Sequence, residues 1–159
     1  MGNRAVITSI NNLKIKEDGT KELIDEGIGI YLHWNGGRDS IEAFLAYCDM
    51  KRYRKPEQDS YGYAMLVNVI TNWFGNGLSC DVNTLNRLDC DNYDNGVYVI
   101  KDWRVVDRVY SRGEQYEYDF KEMLQLIDES QPEDMRLTDE EKAHIPEVYE
   151  DVMKYRKKA

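Results

Sequence analysis

Histidine, cysteine and proline are scarce in this 159-residue sequence, at two, three and three residues. Cys48, Cys80 and Cys90 are odd in number and form no Cys-x-x-Cys pair, so neither a disulfide framework nor a zinc knuckle is spelled out. Reduced, partly buried thiols are the expectation. The two histidines, with no ligand spacing between them, supply no metal motif, and no cofactor signature is present. Apolar runs fall short of the ~20 residues that a membrane helix needs. The first ten residues lack the basic and apolar regions of a secretory signal, and Val6 stands where a myristoylation motif has Ser or Thr. The expectation is a cytoplasmic protein with no membrane partner. Basic charge is also short: 21 Lys and Arg face 30 Asp and Glu, and a net charge of −9 argues against direct binding to nucleic acid or anionic lipid.

What is present is enough chain for one real core, with 42% apolar and 32% charged residues. The acidity is local. Residues 114–142 hold eleven acids and three bases, a balance of −8, whereas the preceding residues sum to −2 and the following ones to +1. Twelve tyrosines are many for this length and favour a contact surface, so a homo-oligomer is plausible.

Residues 4–10 (RAVITSI) read as a first strand, which residues 13–16 extend or follow with a second. Residues 17–26, around Asp18-Gly19, read as turn. Over residues 27–34 the alternation is clean, with Ile28, Ile30, Leu32 and Trp34 on one face and Gly29, Tyr31 and His33 on the other. Asp39 and Glu42 have the spacing of an N-cap and its partner before a helix from about Ser40 to Tyr53, which carries Ile41, Phe44, Leu45 and Cys48. A second helix presents Tyr63, Leu66, Val67, Ile70, Trp73 and Phe74 and stops at Gly75-Asn76-Gly77. Residues 78–93 are ambiguous. Two strands follow, over residues 97–101 and 103–110, joined across Lys101-Asp102. Phe120, Met123, Leu124 and Ile127 mark a third helix, Thr138 and Glu141 a capping box, and residues 147–157 a last helix.

This order points to α+β architecture: an antiparallel sheet of about four to five strands with two to three helices packed on one face. Residues 1–131 would form a single domain and residues 132–159 a peripheral helical tail. The first and third strand groups should lie side by side, with Ile28, Ile30, Leu32 and Trp34 buried beneath Phe44, Leu45, Val67 and Ile70.

Four groups of residues could carry function. Tyr31, His33 and Trp34 lie at a strand end beside Asn35-Gly36-Gly37, where sites are commonly built, although a lone histidine is more often structural. Asp89, Asp91 and Asp94 fail the EF-hand register, because Tyr93 occupies the third position, and a hairpin turn explains them better. Arg104, Arg108 and Arg112 fall on even numbers, so an unbroken strand would put their guanidiniums on one face, either as a phosphate site or as partners of Glu114 and Glu117. Finally, Glu117, Glu122, Asp128 and Glu129 belong to the acidic segment and could meet a basic partner.

The segment YLHWNGG over residues 31–37, with the opening MGNRAVI, resembles a family of small proteins encoded by phages, prophages and conjugative elements. These begin Met-Gly-x-Arg and carry a Tyr-x-His-Trp-Asp/Asn-Gly strand end. The resemblance covers about the first two thirds of the chain and hands over no catalytic residue; Asn35 stands where Asp is commoner. It implies an accessory protein of a mobile element inside a bacterial host cell, a setting in which small proteins often counter host defence. The leading expectation is therefore a non-enzymatic inhibitor, an anti-CRISPR or other anti-defence protein, that binds a host defence protein through its acidic surface. The alternatives are a binder of a small phosphorylated or cyclic nucleotide signal, using Arg104, Arg108 and Arg112 with Tyr31, His33 and Trp34, and a small enzyme using His33.

Overall fold

The computed structural model describes residues 2–113 and 115–158. Seven strands are described: β1 (Ala5–Ser9), β2 (Leu13–Ile15), β3 (Lys21–Leu23), β4 (Ile28–Leu32), β5 (Cys80–Thr84), β6 (Val97–Lys101) and β7 (Arg104–Val109). The helices are α1 (Arg38–Met50), α2 (Tyr61–Phe74), α3 (Phe120–Ser130), α4 (Asp139–Lys142) and α5 (Ile145–Arg156). The main sheet has the order β5-β4-β1-β6-β7, and β2 and β3 form a separate hairpin. The α+β expectation and the strand number hold, and the first and third strand groups are neighbours through β1 and β6.

The sheet is mixed where an antiparallel one was expected, because β1 and β6 run parallel, with Ile7 opposite Tyr98. A tight turn compels β6 and β7 to be antiparallel, but four strands and two α-helices separate β1 from β6 and leave β6 free to enter in either direction. The β6–β7 turn is Asp102-Trp103, one residue later than the sequence indicates, with both residues at positive φ (53° and 59°). Trp103 tolerates this unusual backbone because its side chain is buried and its indole N–H donates to the Tyr53 carbonyl at 3.0 Å.

Alternation divides the sheet between two apolar layers. Ala5, Ile7, Ile30, Leu32, Tyr98 and Ile100 meet the helices, packing with Phe44, Leu45, Leu66, Ile70, Met123 and Ile127. Val6, Val97, Val99 and Val109 face the other way, under Leu13, Leu23, Leu85 and Leu88 from the hairpin and the segment after β5. Of the four residues expected beneath the helices, Ile30 and Leu32 are fully buried. Ile28 and Trp34 stay 39% and 42% exposed, because Ile28 opens β4 and Trp34 lies beyond its end, outside the helical cover.

Helix ends follow local chemistry. The Asp119 side chain accepts from the Glu122 N–H at 2.8 Å to cap α3, and Thr138 and Glu141 form the expected capping box of α4. Gly75, at φ 76°, closes α2 in the left-handed region that favours glycine. Asp39 is not the α1 cap: Gly37 holds that position, and Asp39 instead pairs with Arg156 at 2.6 Å. The segment expected as a peripheral tail also closes the main core. Leu137 and Val152 are buried in the helical layer, Asp151 pairs with Arg104, and Arg156 bridges Asp39 and Glu42 of α1. Apolar spacing in α5, weak against its charges, conceals this docking in the sequence. Among the described residues, no helix is long and apolar enough to cross a membrane.

Candidate functional site

The strand-end motif folds back on the opening residues. The Tyr31 hydroxyl and His33 Nδ1 are 2.8 Å apart, and the His33 ring meets Trp34 edge-on with centroids 5.0 Å apart. Burial, with Asp89 nearby, raises the Tyr31 phenol above its ordinary pKa. Asn3 accepts from the Gly36 N–H through its backbone carbonyl, and the Tyr98 hydroxyl donates to the Gly36 carbonyl. A Cβ on Gly36 would strike Asn3, and one on Gly37 would strike the Gln115 carbonyl, so both positions require glycine for close approach. Asn3 and Asn35 side chains then donate to the two carboxylate oxygens of Glu117 at 3.0 and 2.9 Å. Beside them Arg4 pairs with Asp94 at 2.7 Å; burial alone would raise that carboxyl, but hydrogen bonds from Arg4 and Gln115 hold it below its usual value. The two pieces of sequence that carry the mobile-element resemblance thus form one clasp, which ties the loop around Glu117 to the end of the sheet.

Among the described residues, no hydrogen bond joins a cysteine thiol to His33, whose ring meets Tyr31 and Trp34. Burial pushes Cys80 and Cys90 up to about 11 and raises Cys48 as well, so all three are protonated near neutrality and poor nucleophiles. Among the described residues, no group of three or more His, Cys, Asp or Glu side chains could hold a metal ion.

Arg104, Arg108 and Arg112 do not converge. The ladder slips between Val99 and Ile100, where Val99 faces Asp107 and Ile100 faces Val105, so the even-numbered alignment is broken within β7. Arg104 is buried and bonds Asp49 at 3.0 Å and Asp151 at 2.8 Å. Arg108 lies over the Tyr98 ring, 4.0 Å from its centroid, and donates to the Asn95 carbonyl and Ser111 hydroxyl. Arg112 pairs with Asp91 at 2.9 Å. Glu114, expected as an arginine partner, lies outside the described residues. Glu117 binds asparagines instead.

The acidic residues also separate. Asp128 is 7% exposed and accepts from the Tyr47 hydroxyl at 3.0 Å and the Leu137 N–H at 2.8 Å. It is an internal tie between α1, α3 and the tail. Glu122 and Glu129, seven residues apart on α3, share its exposed stripe. Glu133, Asp134, Glu140 and Glu147 are exposed on the segment that follows. Next to Glu129, Leu124, Leu137 and Ile145 line a cavity of about 370 Å³ whose polar residues include Lys121 and Lys142.

Two other openings among the described residues also escaped sequence reading. One, of about 560 Å³, is lined by Asp49, Arg52, Thr138, Glu141, His144 and Glu147; its Glu141 is engaged by Lys51 at 3.1 Å and by the Thr138 backbone. The other, of about 470 Å³, gathers Lys21, Arg38, Arg108 and Lys158 with Asp107 and Ser111. Only Arg108 was recognisable in advance, since the other cations come from segments with no sequence spacing in common. No family profile, no curated protein and no solved structure matches this chain.

Proposed function

We propose that this chain is a non-enzymatic binding protein that docks a basic protein surface on the acidic face of α3 to α5. In the setting implied by the mobile-element resemblance, the partner is a nucleic-acid-binding component of a bacterial defence system, inhibited because the acidic face occupies the surface meant for nucleic acid.

What supports the reading is the sorting of the carboxylates. Asp39, Glu42 and Asp128 are engaged inside the fold, whereas Glu122, Glu129, Glu133, Asp134, Glu140 and Glu147 stand exposed on one run of helices. The small apolar cavity beside Glu129 adds a place for a non-polar anchor within the charged surface. Clustered surface carboxylates steer a basic partner and set its orientation.

An arginine-rich peptide with one central leucine is the probe. It should bind the wild-type chain and be released as salt rises. Binding that ignores both salt and reversal of Glu122, Glu129, Glu133 and Asp134 to Lys would overturn the reading.

A further inference from the structure

We propose that β5, the open edge of the main sheet, pairs with β5 of a second copy of this chain about a two-fold axis at Val82, which joins the two sheets into one. This surface is separate from the acidic docking face of α3 to α5. Among the described residues, β5 is the last strand on its side of the sheet. The phase of its ladder with β4 is fixed at both ends, where the His33 N–H donates to the Ser79 carbonyl at 2.9 Å and the Leu85 N–H to the Gly27 carbonyl at 2.8 Å. On that alternation Asp81 and Asn83 bond β4, while Cys80, Val82 and Thr84 turn their N–H and C=O groups outward. The Cys80 N–H is met by the Gly77 carbonyl at 3.4 Å and the Thr84 N–H by Asn83 Oδ1 at 2.8 Å. Pairing therefore centres on Val82, whose N–H and carbonyl exchange two hydrogen bonds with their symmetry copies.

Charge selects a second copy as the occupant. A chain of net charge −9 repels its own copy except where its surface carries none. Residues 61–80, which form α2 and the turn leading into β5, hold no Asp, Glu, Lys, Arg or His in a sequence that is 32% charged. Tyr61, Ala64, Asn68 and Leu78 of this run are exposed. Apolar area continues along the edge itself: Leu78 is 92% exposed and Val82 46%, and the half-exposed Ile28 lies opposite Thr84. Loss of charge together with exposed tyrosine and aliphatic side chains is the composition of an interface centre. The other edge of the sheet is built differently. β7 carries Arg104, Asp107 and Arg108, Lys21 of the hairpin donates to the Arg108 carbonyl at 3.4 Å, and Arg104 pairs with Asp151 of α5.

The side chains of β5 fit this register. Centred on Val82, the two-fold sets Asp81 of each copy opposite Asn83 of the other in the closer, non-hydrogen-bonded pairs, so a carboxylate meets an amide twice. A centre at Asp81 would put two carboxylates face to face, and a centre at Asn83 would set Asp81 against Leu85, which is buried. The axis stands perpendicular to the sheet, so the helical layers of both copies lie on one side of it. The uncharged α2, which packs against β5, then flanks the joint in each copy.

Sedimentation velocity of the full chain over about 1–100 μM tests the proposal, with circular dichroism to check that each variant is folded. The wild type should approach twice the 18.7 kDa chain mass as concentration rises. Val82→Lys, which brings two ammonium groups together at the axis and alters no bond to β4, should leave a monomer. Asn83→Asp keeps an acceptor for the Thr84 N–H but sets a carboxylate against Asp81 in both pairs, and should raise the dissociation constant by about tenfold. Adding Asp81→Asn to that variant exchanges the two side chains and should restore the dimer, whereas adding Glu17→Gln, on the exposed hairpin turn, gives the same net charge and should not. A wild type that stays monomeric throughout would overturn the proposal and leave the edge to a strand of another protein. A dimer that survives Val82→Lys, or one that Glu17→Gln restores as well as Asp81→Asn does, would overturn it too.

Discussion

Asp128 separates the structural carboxylates from the surface ones, and replacing it with alanine makes the distinction measurable. Its Oδ1 accepts from the Tyr47 hydroxyl at 3.0 Å and from the Leu137 N–H at 2.8 Å. Tyr47 retains a second acceptor, the Met135 carbonyl at 3.0 Å, so its hydroxyl stays satisfied after the substitution. The buried Leu137 N–H loses its acceptor, which costs ~1–3 kcal/mol, and loss of the charge-assisted bond from Tyr47 adds ~1 kcal/mol. The expected total of ~2–4 kcal/mol corresponds to a fall in melting temperature of roughly 5–15 °C for a chain of this size. Asp128→Asn keeps an acceptor at the same place and should lose about 1 kcal/mol. Glu122→Lys and Glu129→Lys, on the exposed stripe, should each change stability by less than ~0.5 kcal/mol. Urea unfolding followed by circular dichroism reads all four variants. A loss below ~0.5 kcal/mol for Asp128→Ala would refute the assignment of this carboxylate to the interior.

Further outcomes follow from the core and from pH. Ile30→Ala, at a fully buried position, should cost ~2–5 kcal/mol, whereas Ile28→Ala should cost less than ~1 kcal/mol; equal losses in urea unfolding would contradict the placement of Ile28 at the strand's open end. The folded-state pKa of Asp94 lies below its unfolded value, so its contribution is fully present above pH ~4 and is lost as pH falls through the folded value. Asp94→Asn should therefore shrink the difference in urea midpoint between pH 5 and pH 3, and an undiminished difference would assign the acid sensitivity elsewhere.

The parts of the fold that were legible in the sequence are those with strong local signals. The alternation through Ile30 and Leu32, the helical repeat of Phe44, Leu45 and Cys48, the glycine stop at Gly75 and the Thr138–Glu141 box all act within one element. Features set by distant contacts were not legible. β3 is three residues in a polar stretch, stabilised by pairing with β2, and β5 is polar because it borders a sheet whose apolar partners lie elsewhere. The register slip at Val99/Ile100 scattered the arginines, although their spacing alone aligns them. Asp128 and Glu129 are sequence neighbours with opposite fates, decided by which side of α3 meets Tyr47 and Leu137. The YLHWNGG segment stood out for a structural reason: its glycines and Asn35 hold the opening residues and the Glu117 loop together.

The most direct test of the acidic docking face compares two variants with the same change in net charge, measured by fluorescence anisotropy with the arginine-rich, leucine-bearing peptide at low and raised salt. One reverses Glu122, Glu129, Glu133 and Asp134 to Lys on the α3 side; the other reverses Glu17, Glu22, Asp25 and Glu26 to Lys around the β2–β3 hairpin, all of them exposed. Each takes the formal charge from −9 to −1, since four acids replaced by lysine add eight charges. If the face docks a basic partner, the first variant loses the peptide while the second keeps most of its affinity. Equal weakening in both would show that attraction to net charge accounts for the binding, and would contradict a localised docking face.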